Sequence, residues 1–412
     1  MAASPTPDPR RFVTPTGVRA FVSAVVAAQV LVQIGAFTLP ALLPGYIDHW
    51  HLTKTEAGWL IGVFFAAYVA AVPVLVALTD RVPARRVYMT GAALTALSHL
   101  GFALFADGFW SGLLLRAIAG IGWAGAYMPG LRVIADRLEG TGQSRAVSWH
   151  AAGVGIAGAS SFVVAGLLDA AAGPRAAFLF GAVAAVGALV IAWAVMPAGG
   201  VRRDPAASTR ALLDFRPVFR NRAAMAWIAG YTVHTWELAA LRAWGVTFLT
   251  ATAARQGAPP WMPGATALFT AAGLLGIVVS ITGNETAQKH GRARVVLWAM
   301  TAAAGLSLVA GWSTALSLPL ATAVVLLWNG AIYLDSSALT AGTVQAAEKD
   351  LRGATMGLHS MAGYTGGFLG PLGVGLMLDL AGDTPLGWGL GFGHLAVVTL
   401  IGLAILRRLG RS

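Results

Sequence analysis

Twelve stretches of about 20 apolar residues run through the chain, near 18–43, 55–79, 87–106, 109–134, 146–171, 175–197, 223–252, 263–286, 293–312, 316–343, 353–380 and 386–406. A backbone crossing a bilayer core of roughly 30 Å must satisfy its own hydrogen bonds, and a helix does so in about 20 residues. Basic residues occupy every second gap. Arg10 and Arg11 precede the first stretch. Arg81, Arg85 and Arg86 follow the second, Arg137 and Arg145 the fourth, and Arg202, Arg203, Arg210, Arg216, Arg220 and Arg222 the sixth. Lys289, Arg292 and Arg294, then Lys349 and Arg352, then Arg407, Arg408 and Arg411 continue the series, while the opposite gaps hold little beyond Lys54, Arg175 and Arg255. Positive charge on one side fixes orientation during insertion. The expectation is an all-α integral protein of the inner (plasma) membrane, multi-pass, with both ends cytoplasmic.

Only 11% of the 412 residues are charged and 57% are hydrophobic. A soluble protein carries about 25% charged residues, so most of this surface should face lipid. The net charge of +11 is dispersed over many loops. It reads as topology rather than as a nucleic-acid surface. With no cysteine, disulfides and thiolate metal sites are excluded. The sequence holds no Walker loop, no His-Glu-x-x-His and no Gly-x-Ser-x-Gly elbow with a plausible triad. No catalytic residues, metal or cofactor are therefore expected. The Pro-rich residues 1–17 lead into an apolar run too long for a secretory signal, which is read as a retained first span.

The longest polar segment, 198–222, divides the chain into a tail (1–17), a six-helix bundle (18–197), a central loop, a second six-helix bundle (223–407) and a tail (408–412). Within the loop, Thr209 to Phe219 has the pattern of a short amphipathic helix or a linker. The halves repeat. An offset of 208 places Asp80 on Gln288, Arg81 on Lys289 and Arg86 on Arg294, and brings Gly155 and Gly158 near Gly363 and Gly366. Two parallel six-helix repeats suggest a transporter whose site lies at the repeat interface.

Ionisable groups in the bilayer core cost at least about 2.5 kcal/mol each, so each asks for a partner or a wet cavity. The seventh stretch is the richest, with Tyr231, His234, Glu237, Arg242 and Trp244 within roughly half its circumference. His234 and Glu237 stand three apart and can touch; Glu237 and Arg242 stand five apart and must each look elsewhere. The offset of 208 sets Gln29 opposite Glu237, with Gln33 one turn on. Arg116, Gly120, Trp123 and Tyr127 form one stripe in the fourth stretch, and Asn329, Tyr333, Ser336 and Thr340 form another in the tenth. Asp335 falls about 120° off the latter stripe and asks for a neighbour. Interhelical clamping is the bland alternative for every one of these residues. His150 and His359 read as structural.

The chain resembles the major facilitator superfamily over nearly all of 18–407. Asp80, Arg81, Arg85 and Arg86 match that family's motif after the second helix, with Val76 and Pro83 in place of its glycines. The fourth-helix motif is intact as Arg116, Gly120 and Gly122, whereas the fifth-helix exporter motif is weak and Gly366-Gly367-Phe368-Leu369-Gly370-Pro371 stands in the eleventh helix instead. The resemblance implies twelve transmembrane helices in two bundles, with helices 1, 4, 7 and 10 lining a central cavity. It also implies a gate at Asp80, Arg81, Arg85 and Arg86 that clasps the bundles. In proton-coupled members the helix-4 arginine, here Arg116, is tied to coupling. The expected activity is secondary active transport by alternating access, in a monomer, with a small-molecule solute, protons and the lipid bilayer as partners. Coupling is expected through Glu237, tuned by Arg116 and His234. The solute stays open between a small organic or inorganic anion taken up (Arg116, Arg242) and an amphipathic compound exported over aromatic walls (Trp123, Tyr127, Tyr231, Trp244, Tyr333). A membrane sensor or membrane-embedded enzyme is the remaining alternative.

Overall fold

The computed structural model describes residues 15–79, 81–199 and 214–409. Asp80, most of the central loop and both extreme ends therefore lie outside the described residues. In chain order the helices are α1 (Pro15–Gln33), α2 (Thr38–Trp50), α3 (Lys54–Leu78), α4 (Ala84–Phe105), α5 (Phe109–Ala135), α6 (Gly140–Ala172) and α7 (Pro174–Val195). A short α8 (Arg216–Arg220) precedes α9 (Arg222–Gln256), α10 (Ala265–His290), α11 (Arg292–Trp312), α12 (Leu318–Ala346), α13 (Arg352–Ala381) and α14 (Pro385–Leu409). Of the amphipathic stretch expected at Thr209 to Phe219, α8 is the described part. Eleven spans are long and apolar enough to cross a membrane, α1 and α2 counting together as one. The twelfth is α9, 35 residues long, which carries Glu237 and Arg242 and so falls short in hydropathy rather than length.

The two halves repeat in three dimensions. In the first, α3 packs on α5, α4 on α5 and α7, and α1 on α6 and α7; in the second, α10 packs on α12, α11 on α12 and α14, and α9 on α13 and α14. Lipid tails are as apolar as leucine, so helices join by close packing over small residues. Gly120 of α5 lies on the carbonyl of Phe64 in α3, and Gly283 of α10 lies on the carbonyl of Leu334 in α12; a Cβ at either would overlap that oxygen. The same seam is thus sealed the same way in both repeats.

The first span is not the continuous helix expected over 18–43. It breaks at 34–37 and resumes as α2, which continues to Trp50. Pro40 supplies the cause: it has no N–H, so the carbonyl of Ala36 loses its intrahelical donor. Backbone polar groups inside a bilayer must find other partners. Here Arg116 Nη1 donates to Ala36 O (3.5 Å), His99 Nε2 lies 3.1 Å from Gly35 O, and Phe37 N donates to Ser161 Oγ (3.1 Å). Gly35 admits the His99 ring where a side chain would collide with it.

The bundles meet along three seams, α3 with α13, α6 with α10, and α2 with α9. The described helix ends beside the basic gaps mark one face of the molecule, and the α3–α13 and α6–α10 seams are held toward the other, far face, where a cavity opens between α2, α6, α9 and α10. Asp379 near the end of α13 accepts from both Lys54 N and Thr55 N at the start of α3, each at 2.8 Å. Gly58 and Gly62 of α3 sit on the carbonyls of Pro371 and Phe368. On the other flank Thr270 Oγ1 donates to Ala159 O (2.9 Å) and accepts from Val163 N (3.0 Å).

Candidate functional site

The break in the first span draws two guanidinium groups from opposite sides. Arg116 of α5 is buried, donates from Nε to Leu60 O (3.3 Å) and lies over the Phe64 ring at 4.6 Å. Arg242 of α9, in the other bundle, is half-buried. It lies 5.0 Å from the Phe37 ring, and a Cβ at Gly158 of α6 would be 3.8 Å from its Nη1. Arg242 also donates to the hydroxyl of Tyr333 on α12. The fourth-helix motif explains the approach of Arg116: Gly120 lets α5 meet α3, and Gly122 lets it meet Thr95 of α4, so the arginine one turn from Gly120 is driven against the break. Among the described residues neither guanidinium has a carboxylate within ion-pair distance. Both are therefore fixed positive charges held by carbonyls, a phenol and ring faces.

The acids lie elsewhere. Glu237 turns into the second bundle, accepting from Trp328 Nε1 of α12 (2.6 Å) and from Thr399 Oγ1 of α14 (3.3 Å). Among the described residues His234 makes no hydrogen bond or ion pair with it; His234 Nδ1 is 2.8 Å from Asp335 Oδ1, and both residues are buried. Asp335 thus has its expected neighbour. Beside this pair the Tyr231 ring stacks on His359 of α13, with centroids 3.8 Å apart, and lies 5.8 Å from the His234 ring. α9 consequently carries its acid on one side and its cation on the other.

The remaining candidates separate. Asn329 clamps α12 to α10 by donating to Ala272 O (2.9 Å). Tyr127 packs against His150 at 5.6 Å. Gln29 and Gln33 are buried, and among the described residues none of their amide atoms has a hydrogen-bond partner. Trp244 is wholly buried and donates to Pro371 O (2.8 Å), so it is a packing residue rather than a wall of the passage. Arg85 donates to Trp193 O of α7 (2.6 Å), a contact inside the first bundle rather than a clasp between the two. Arg81 and Arg86 begin and follow the turn into α4. Sequence reasoning missed His99 and Ser161, whose roles exist only because the first span breaks; Pro40 after Gly35 was the available signal. It also missed Tyr364 of α13, which meets Tyr68, Phe65 and Trp123 across the bundle boundary at 4.5, 5.8 and 5.5 Å.

The arrangement is two six-helix repeats around a broken first span that faces a charged seventh span. The sequence profile of the Major Facilitator Superfamily matches residues 25–371. The chain belongs to the Major Facilitator Superfamily. A curated relative, the uncharacterized MFS-type transporter YwoD of Bacillus subtilis (strain 168), is 29% identical over 119 residues, a match spanning 29% of this chain and 26% of that protein. Among solved structures, a bacterial homologue of the human lysosomal transporter Spinster, in its inward-facing and unoccupied conformation, superposes with a TM-score of 0.79 at 16% identity, covering 96% of this chain and 97% of the other. The nucleoside transporter NupG superposes at 0.74 with 13% identity, covering 96% and 99%. A POT family transporter in complex with 5-aminolevulinic acid also reaches 0.74 at 13% identity, covering 94% and 96%. These likenesses establish the superfamily fold, and membership of the family sets the chain among multi-pass membrane transporters.

Proposed function

We propose that the chain is a secondary active transporter that carries a small organic anion between its bundles, coupled to protons. The observation that carries this reading is the pair Arg116 and Arg242, which converge on the break of the first span with no carboxylate partner among the described residues. Fixed cations in a low-dielectric site favour an anion and reject a cation. Arg242, the half-buried member, makes the first contact; Arg116 holds the break in shape and adds its field. The basic face is cytoplasmic by the positive-inside rule, in a plasma membrane, and the bundle 18–197 rocks against the bundle 223–407. With the α3–α13 and α6–α10 seams held at the far face, the solute leaves or enters here from the basic side. Arg81, Arg85 and Arg86, with Asp80, act as a gate in the opposite conformation.

The test is a thermal-shift panel on detergent-purified protein, with organic anions, inorganic anions and lipophilic cations as probes. Organic anions should raise the melting temperature, and Arg242→Ala should abolish that rise. A rise produced by lipophilic cations alone would sink the anion reading. One observation favours a second reading, export of amphipathic compounds: the aromatic group Phe65, Tyr68, Trp123 and Tyr364 spans the bundle boundary. Protection by lipophilic cations is the outcome that reading expects.

A further inference from the structure

We propose that His359, Tyr231, the His234–Asp335 pair and Glu237 form a proton path inside the second bundle, with His359 as its entry group. The inference deepens the proton-coupled reading above and rests on it. His359, read from the sequence as structural, becomes the group that takes protons from the basic face.

Depth orders these groups. At about 1.5 Å per residue, His359 lies roughly 10 Å into α13 from Arg352, and Tyr231 roughly 14 Å into α9 from Arg222. Asp335 lies roughly 16 Å in from the Ala346 end of α12, His234 roughly 18 Å and Glu237 roughly 22 Å along α9. The ladder therefore climbs from the basic face toward the middle of the bilayer in short steps. At its foot His359 is itself buried and reaches the basic side through two threonines, its Nδ1 3.1 Å from Thr343 Oγ1 and its Nε2 3.4 Å from Thr340 Oγ1, hydroxyls that can both give and take a proton. Above them Tyr231 brings a phenol into a stack between the two imidazoles. Gly363 makes that stack possible, because a Cβ there would collide with the Tyr231 ring. The His234–Asp335 pair, 2.8 Å apart but not aligned as a hydrogen bond, holds the proton and passes it when the imidazole turns. Glu237, one turn on, ends the path between two donors.

The repeat makes a case for specialisation. The offset of 208 that sets Gln29 on Glu237 also sets Tyr127 on Asp335, and one residue more sets His150 on His359. Tyr127 packs against His150, whereas the offset sets Ser23 on Tyr231, so the Tyr231–His359 stack is particular to the second bundle. The first bundle thus has an amide and a phenol where the second has two acids. Groups facing Tyr231 from its neighbours are Tyr127 of α5 and Tyr364 of α13, while His394 of α14 meets Trp236, with its Nε2 3.4 Å from Trp236 Nε1. Arg242 faces away, toward Tyr333 and Phe37. Protons enter from water at the basic face, reside on the carboxyl groups, and return to water; no other species is needed.

The test uses purified protein without solute, so that it stands apart from anion recognition. A step from alkaline to acid pH is followed by the infrared carbonyl band of buried protonated carboxyl groups. Asp335→Asn and Glu237→Gln should each remove part of the band. His359→Leu should slow its appearance about tenfold or more without lowering its final size, and Gly363→Ala should do the same by displacing Tyr231. If His359→Leu is not folded, His359→Gln, which keeps a hydrogen bond to Thr343, is used with the same expectation. An unchanged rate in the histidine variant, or a band untouched by both acid variants, overturns the path. Proteoliposome uptake of an organic anion that ignores the pH gradient would instead overturn the proton-coupled reading while leaving the infrared result standing.

Discussion

At the scale of single residues, glycine rather than charge decides where this chain can pack. Gly120 meets a carbonyl oxygen of α3, whereas Gly305 of α11 has open space where a Cβ would be added. Gly120→Ala should therefore destabilise by about 1–3 kcal/mol through forced separation of α5 from α3, and Gly305→Ala should be neutral or stabilise by up to about 1 kcal/mol through helix propensity. Melting of both variants in detergent decides the matter; equal shifts would mean that the α3–α5 seam gives way freely. The glycines of the fourth-helix motif were legible in the sequence as a motif. Their partners were not, because a glycine does not announce which backbone approaches it. The same holds for Glu237. Its depth and burial followed from its place in an apolar run, but Trp328 and Thr399 come from helices far along the chain. The pairing with His234, suggested by i,i+3 spacing, lost to Asp335 across the α9–α12 seam.

At the scale of elements, the first span shows why periodicity alone misreads a broken helix. Its mainly apolar pattern runs on through Phe37 with only isolated polar residues such as Gln29 and Gln33, so hydropathy drew one rod, while Pro40 removed the donor that a rod requires. The break survives because three side chains from three other helices satisfy it. Ser161 is the cleanest to remove: its hydroxyl accepts from Phe37 N and is itself buried. Ser161→Ala should leave that N–H unpaired in a dry site and cost about 1–3 kcal/mol, read as a lower melting temperature. Ser161→Thr, which keeps the acceptor, should recover part of the loss if the added methyl fits. A Ser161→Ala variant that melts like the parent would show that the break has another means of support. α9 completes the picture at this scale. Its acid faces α12 and α14 and its arginine faces the break, so a change of charge on one side can reach the other by movement of a single helix. Helix positions were readable from hydropathy and gaps. The opposed faces of α9 were not, since the residues concerned fall within one half of its circumference.

At the scale of the whole molecule, the seams held at the far face depend on a few contacts between bundles, and Asp379 is the most economical of them. Its carboxylate takes both free amides at the start of α3, where the helix dipole also favours negative charge. Asp379→Asn keeps the size but leaves one oxygen to accept and removes the charge. Rocking between two states of similar free energy responds to differences of this order, since a 1.4 kcal/mol change is about a tenfold change in population. The absence of native cysteine allows paired spin labels at the far-face ends of α3 and α13, and a second pair at their basic ends, without background. In the parent the far-face pair should give one short distance. In Asp379→Asn a longer far-face distance should appear together with a shorter one at the basic ends, because rigid bundles that part on one side approach on the other. A distribution unchanged at both ends would mean that the glycine contacts of Gly58 and Gly62 hold the seam alone, and opening at the far face without closure at the other would mean that the bundles do not move as rigid bodies.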